Sequence, residues 1–220
     1  GSIGSQGGTA RTTAQMQTIT TFTNAGWLFT CQIWGINTQD NGKYPFLLWQ
    51  EDYNNAANDC NYWTGVSGTD WGTSGNWSSG VPSTGSNVLI RNKATVFPVL
   101  SGQASLNITN VGRGSTLTIS STGHLTSTNQ LCITGKVIVQ PQGKMTCTGS
   151  LTNNNGFEGL VLESNSGGSG TIIHNTENVP ATVKRYVPGS QQFHLISTPV
   201  AGQTIANFIA ENSGVLAYNS

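Results

Sequence analysis

Between Val88 and His174 the sequence returns on itself. Gly123-His124-Leu125 comes back as Gly143-Lys144-Met145, and Leu117-Thr118-Ile119 comes back as Val137-Ile138-Val139, each at an offset of about 20 residues. Leu106-x-Ile108, Leu131-x-Ile133 and Leu160-x-Leu162 share the same spelling, a short strand with alternate residues facing inward. One coil of such strands cannot bury its own apolar face. When coils stack, each strand pairs in parallel with its equivalent one coil away and the inward Leu, Ile and Val form a continuous core. The period therefore predicts an all-β chain built on a right-handed parallel β-helix. Ser and Thr fill the outward positions of that pleated surface, and Gly is expected at corners where φ is often positive. Spacing alone also allows antiparallel pairing, so a β-sandwich is the alternative.

The flanks differ from this middle. Thr12-Thr13-Ala14-Gln15-Met16 carries a capping-box signal for one short helix. Asn41-Gly42 between Ile33-Trp34 and Tyr44–Trp49 signals a reverse turn, and Trp27, Trp34 and Trp49 read as a compact aromatic plug. Residues 51–61, rich in Asn and Asp, read as a linker. Residues 62–178 form the Trp/Gly-rich solenoid domain. From 179 onward a longer alternating strand, Ala181–Val187, a Pro188-Gly189 turn and Phe193–Val200 read as a hairpin opening a β-sandwich, with one short helix after it at Gln203–Ala210. Gly1 carries no initiator Met or leader-like stretch, and Ser220 stops inside an apolar run, so the chain reads as a piece of a longer polypeptide.

Charge excludes some partners. Nine Lys+Arg balance nine Asp+Glu, and no sequence window concentrates basic residues, which argues against nucleic acid. The longest apolar runs, Pro45–Trp49 and Val137–Val139, are far shorter than the ~20 residues of a membrane helix. Four Cys fit an oxidising compartment, with Cys31–Cys60 and Cys132–Cys147 the pairing that staples each module internally and free thiols the alternative. No CxxC occurs and His124, His174 and His194 lie far apart, so no metal or cofactor is expected.

Catalysis finds little support. Glycoside hydrolysis needs two carboxylates facing one bond, yet Asp40, Glu51, Asp52, Asp59, Asp70, Glu158, Glu163, Glu177 and Glu211 do not recur at the coil period. Glu158 and Glu163 flank a strand as solvated residues do. No nucleophile elbow or phosphate loop occurs. Trp63, Trp71 and Trp77, interleaved with Gly, Ser, Thr and Asn, form either a sugar-stacking surface or an aromatic lid over one end of the core. Burial of the rings decides between them.

Two stretches carry a resemblance. Gly8–Met16, Phe22–Trp27, Ile33–Ile36 and Tyr44–Leu47 together resemble the closing segment of GLUG-repeat β-solenoids in large bacterial surface proteins, over about the first fifty residues. The Trp63-Thr64-Gly65, Asp70-Trp71, Asn76-Trp77 and Val81-Pro82 series resembles the opening of repetitive β domains in secreted Bacteroidota proteins. The resemblance implies export by type IX secretion, contact with its outer-membrane machinery, and a place outside the cell or on its surface. The function it implies is a non-catalytic stalk or adhesin-type scaffold, with a surface glycan or a host or neighbour-cell ligand as partner. A carbohydrate-binding module using Trp63, Trp71 and Trp77, or a β-helix polysaccharide-degrading enzyme, is the alternative.

Overall fold

The computed structural model describes residues 10–27, 34–36, 42, 44–47, 60–188, 204, 206–207 and 210. Near the start, Thr12 and Gln15 form the expected capping box on α1 (Thr13–Met16): the Gln15 N–H donates to Thr12 Oγ1 at 3.3 Å and the Thr12 N–H to Gln15 Oε1 at 3.0 Å. Helix α2 (Ile19–Thr23) comes next. Strands β1 (Trp34–Gly35) and β2 (Phe46–Leu47) then pair antiparallel, with Gly42 at φ +61° between them. Of the expected plug, Trp27 and Trp34 stack at 4.3 Å, and Trp49 lies outside the described residues.

From Cys60 the chain winds into a parallel β-solenoid with three faces. The second face is made of β3 (Cys60–Tyr62), β4 (Asn87–Ile90), the latter parts of β6 (Gln103–Val111) and β8 (His124–Ile133), and β11 (Ser150–Asn153). The first parts of β6 and β8, with β10 (Lys144–Cys147) and β15 (Thr171–His174), form the first face. On the third face β5 (Val99–Leu100), β7 (Thr116–Ile119), β9 (Lys136–Val139), β12 (Leu160–Leu162) and β16 (Thr182–Val183) stack in five successive turns.

Stacking is residue on residue. His124 pairs with Lys144 and Leu125 with Met145, the same pairs that the sequence recurrence aligns. Leu100, Ile119, Val139, Leu162 and Val183 make one inward column, and Leu117, Val137 and Leu160 another. Ala104, Leu125, Met145 and Ile172 line the first face. Val88, Thr109, Leu131 and Leu151 line the second. These columns fuse into one core because β-branched and leucine side chains at period two all reach the same axis.

Three details differ from the sequence expectations. Leu106 and Ile108 do not face the same way: the register shifts between them as β6 turns the corner, so Leu106 enters the core and Ile108 stands half-buried outside it. Thr182–Val183, expected to open a new sheet, pairs in parallel with Val161–Leu162 and adds a rung to the third face. The rest of the expected sandwich, beyond Pro188, lies outside the described residues, apart from helical backbone at Ala206, Asn207 and Ala210, where the Asn207 N–H reaches Thr204 Oγ1 at 3.2 Å. The third difference concerns glycine. Gly143, before β10, does not adopt positive φ; it is needed because a Cβ there would lie 2.6 Å from the Ser120 carbonyl of the turn beneath. At Gly102, the equivalent residue before β6, nothing lies within 4 Å. Gly143→Ala is accordingly expected to destabilise by about 1–3 kcal/mol through overpacking. Gly102→Ala should stay within about 0.5 kcal/mol. Urea unfolding of the two variants side by side checks the contrast.

Candidate functional site

The most specialised constellation lies at the starting end of the solenoid. Trp63 prolongs β3, its N–H bonded to the Leu89 carbonyl at 2.9 Å, and Trp71 begins the third face with its N–H on the Val99 carbonyl at 3.2 Å. A 3₁₀ turn at Ser74–Asn76 brings Trp77 back against both. The Trp77 ring meets Trp63 edge-on at 5.0 Å and Trp71 at 4.6 Å. The indole N–H groups are satisfied inside the protein: Trp63 donates to the Val96 carbonyl and Trp77 to the Trp71 carbonyl, both at 2.8 Å.

Asn76 holds this turn together from a fully buried position. Its Nδ2 donates to the Asp70 carbonyl at 2.9 Å, and its Oδ1 accepts the Ser67 N–H at 2.7 Å. Gly65 sits at φ +65°, where a Cβ would meet the Val96 carbonyl at 2.6 Å. The short polar spacers between the tryptophans therefore build a turn that folds the rings inward. Trp63 is 0% exposed, and Trp71 and Trp77 are each 4% exposed. The structure brings the three residues together as a lid over the core, and no ring face is open for a sugar to stack on, which corrects the stacking-surface alternative.

The cysteines also part from expectation. Cys147 is an inward residue of the first face, with a free thiol that donates to the Ser150 carbonyl at 3.2 Å. Cys132 lies between the core residues Leu131 and Ile133 and points the other way, on the outward row of the second face with Leu89 and Asn110. Side chains on opposite sides of the wall do not meet disulfide geometry, so the expected Cys132–Cys147 bridge is not formed. Cys31, the expected partner of Cys60, lies outside the described residues. Burial pushes the Cys147 thiol pKa up, while hydrogen bonds with the Leu131 and Gly149 backbone pull it down.

Carboxylates do not converge among the described residues. Glu163 pairs with Lys184 at 2.8 Å, one rung on, while Glu158 sits on α3 (Gly156–Gly159), and Asp70 accepts from Thr73 Oγ1 at 2.8 Å. Asp40, Glu51, Asp52, Asp59, Glu211 and His194 lie outside the described residues. Among the described residues no three His, Cys, Asp or Glu come together as a metal site. No helix among them is long and apolar enough to cross a membrane.

Arg91, Arg113 and Lys136 follow successive second-face strands without being register partners: each lies one residue further past the Ile90, Val111 and Ile133 column than the one before, and Lys136 opens β9 over Thr116.

No curated protein and no solved structure matches the chain. The model of a family described as a domain of unknown function, DUF8693, matches residues 62–219, from the last residue of β3 through the tryptophan lid and the later turns of the solenoid. The chain belongs to the DUF8693 family, whose domain here is a parallel β-solenoid closed at its start by three buried tryptophans.

Proposed function

We propose that the chain is a non-catalytic segment of a large secreted surface protein, serving as a rigid stalk or adhesin-type scaffold. The observation that carries this reading is the continuous core: every turn from β5 to β16 rests on the one below in register, so the solenoid is built as a rod segment. Each rung adds about 4.8 Å, the spacing of neighbouring strands. The outward Thr118, Thr126 and Thr146 give such a rod a neutral surface. An extracellular or cell-surface location, export by type IX secretion and an encounter with a surface glycan or a neighbouring cell are drawn from the family resemblances of the two leading stretches.

A spacer tolerates changes of length that a catalytic cleft does not. Because His124 pairs with Lys144, excising residues 124–143 joins Gly123 to Lys144 and removes one whole turn without a seam. The shortened chain is expected to keep a single cooperative thermal transition, lowered by a few degrees. Alongside it, a panel of neutral and acidic polysaccharides should show no new reducing ends and no unsaturated products with the intact chain. Reproducible cleavage or elimination of any of them overturns the scaffold reading.

A further inference from the structure

From the burial of the second face, we infer that residues 48–59 of this chain dock over its outward side and clasp the solenoid. The outward row of that face runs Tyr62, Leu89, Asn110, Cys132 and Thr152, one residue per turn. Its members point away from the core, yet Leu89 and Asn110 are only 3% exposed and Cys132 2%. The equivalent row of the first face, Ser105, Thr126, Thr146 and Ile173, runs from half-buried to 66% exposed. A wall residue that faces outward is buried only when something lies over it. The core, on the other side of the wall, cannot supply that cover.

Two polar groups under the cover await partners. Arg91 holds its guanidinium 3.8 Å over the Tyr62 ring at the near end of the row, and its Nε is buried with no hydrogen-bond partner. Asn110 Oδ1, in the middle of the row, is likewise buried and unpartnered. A buried donor on a cation calls for a carboxylate, and a buried amide oxygen calls for an N–H.

Chain direction and charge select the occupant. Strand β3 opens this face at Cys60, so residues 48–59 arrive directly at its edge. Extended, they reach roughly 40 Å, against about 19 Å for the four strand spacings from Tyr62 to Thr152. They carry Glu51, Asp52 and Asp59 with no Lys or Arg, the complement of Arg91, and Asn54, Asn55 and Asn58 bring amide N–H groups. The stretch after Pro188 leaves from the far end of the third face and holds Glu211 as its one carboxylate. Shielding also fades toward that end, where Thr152 is half-buried and Ser150 exposed. Such a clasp makes the junction before the solenoid a packed joint, whether or not the chain serves as a scaffold.

Alkylation of the full chain with iodoacetamide, read cysteine by cysteine in peptide mass maps, tests it. Cys132 is expected to react as slowly as the inward Cys147. Replacing residues 48–59 within the full chain by an equal length of alternating Gly and Ser should speed Cys132 about tenfold or more and leave Cys147 unchanged. Where that variant also unmasks Cys147, the milder Glu51→Lys combined with Asp52→Lys decides: faster reaction of Cys132 alone supports the clasp, and no change overturns it. Phe193→Ser combined with Leu195→Ser should leave both thiols slow. Prompt reaction of Cys132 in the unaltered chain, no gain in the Gly/Ser variant, or release of Cys132 by the Phe193 and Leu195 changes overturns the inference.

Discussion

Ile119→Asp is expected to abolish the cooperative unfolding transition of the solenoid, read by far-ultraviolet circular dichroism on heating. Ile119 is fully buried in the column running from Leu100 to Val183, with Val139 above it and Leu100 below. Among the described residues no charged side chain is buried in the core to meet a carboxylate there, and an unpaired buried charge costs many kcal/mol before it escapes by protonation or unfolding. The whole stability of a domain is only about 5–15 kcal/mol. In a stacked architecture the damage also spreads, because each rung draws stability from its neighbours on both sides. Thr118→Asp, one residue away but outward and half-exposed, should shift stability by less than about 1 kcal/mol. Equal melting temperatures for Ile119→Asp and the unaltered chain would mean that the inward column is not a continuous core.

The second large effect is expected at the lid. Trp63→Ala removes a fully buried indole and should cost about 3–5 kcal/mol in urea unfolding. Three losses act together: the apolar area of the ring, its edge-on contact with Trp77, and the hydrogen bond that satisfies the Val96 carbonyl. Emission from Trp71 and Trp77 should shift to the red as water enters the first turn. A cost below about 1 kcal/mol would show that the ring does not close the end of the core. Since the tryptophans serve the core, their fluorescence in the unaltered chain should not respond to neutral sugars.

The strand repeat is legible in the sequence because inward residues at period two leave a visible trace when the turn length is nearly constant, as between Leu125 and Met145. Where the path bends inside a strand, the trace misleads: Leu106 and Ile108 look like one inward pair, but the corner of β6 falls between them. The cysteines mislead for a related reason. Chain proximity places Cys132 and Cys147 in one module, while facing direction, set by the turn between them, separates them. Glycine has two uses, freedom in φ and a missing Cβ; Gly143 serves the second, a requirement created by the neighbouring turn and thus invisible locally. The spacing of the lid tryptophans is compatible with a platform or a plug, and only their burial decides for the plug.

Lys144 and Thr171 are register partners although 27 residues separate them, against 20 between His124 and Lys144. The surplus is taken up by α3 and by the small hairpin of β13 (Ser164–Asn165) with β14 (Gly168–Ser169), both outside the stacked strands. Insertions can therefore accumulate at these two loops as ornaments on an unchanged trunk. Descendants of one ancestor should differ there in length and texture while their rungs remain superimposable.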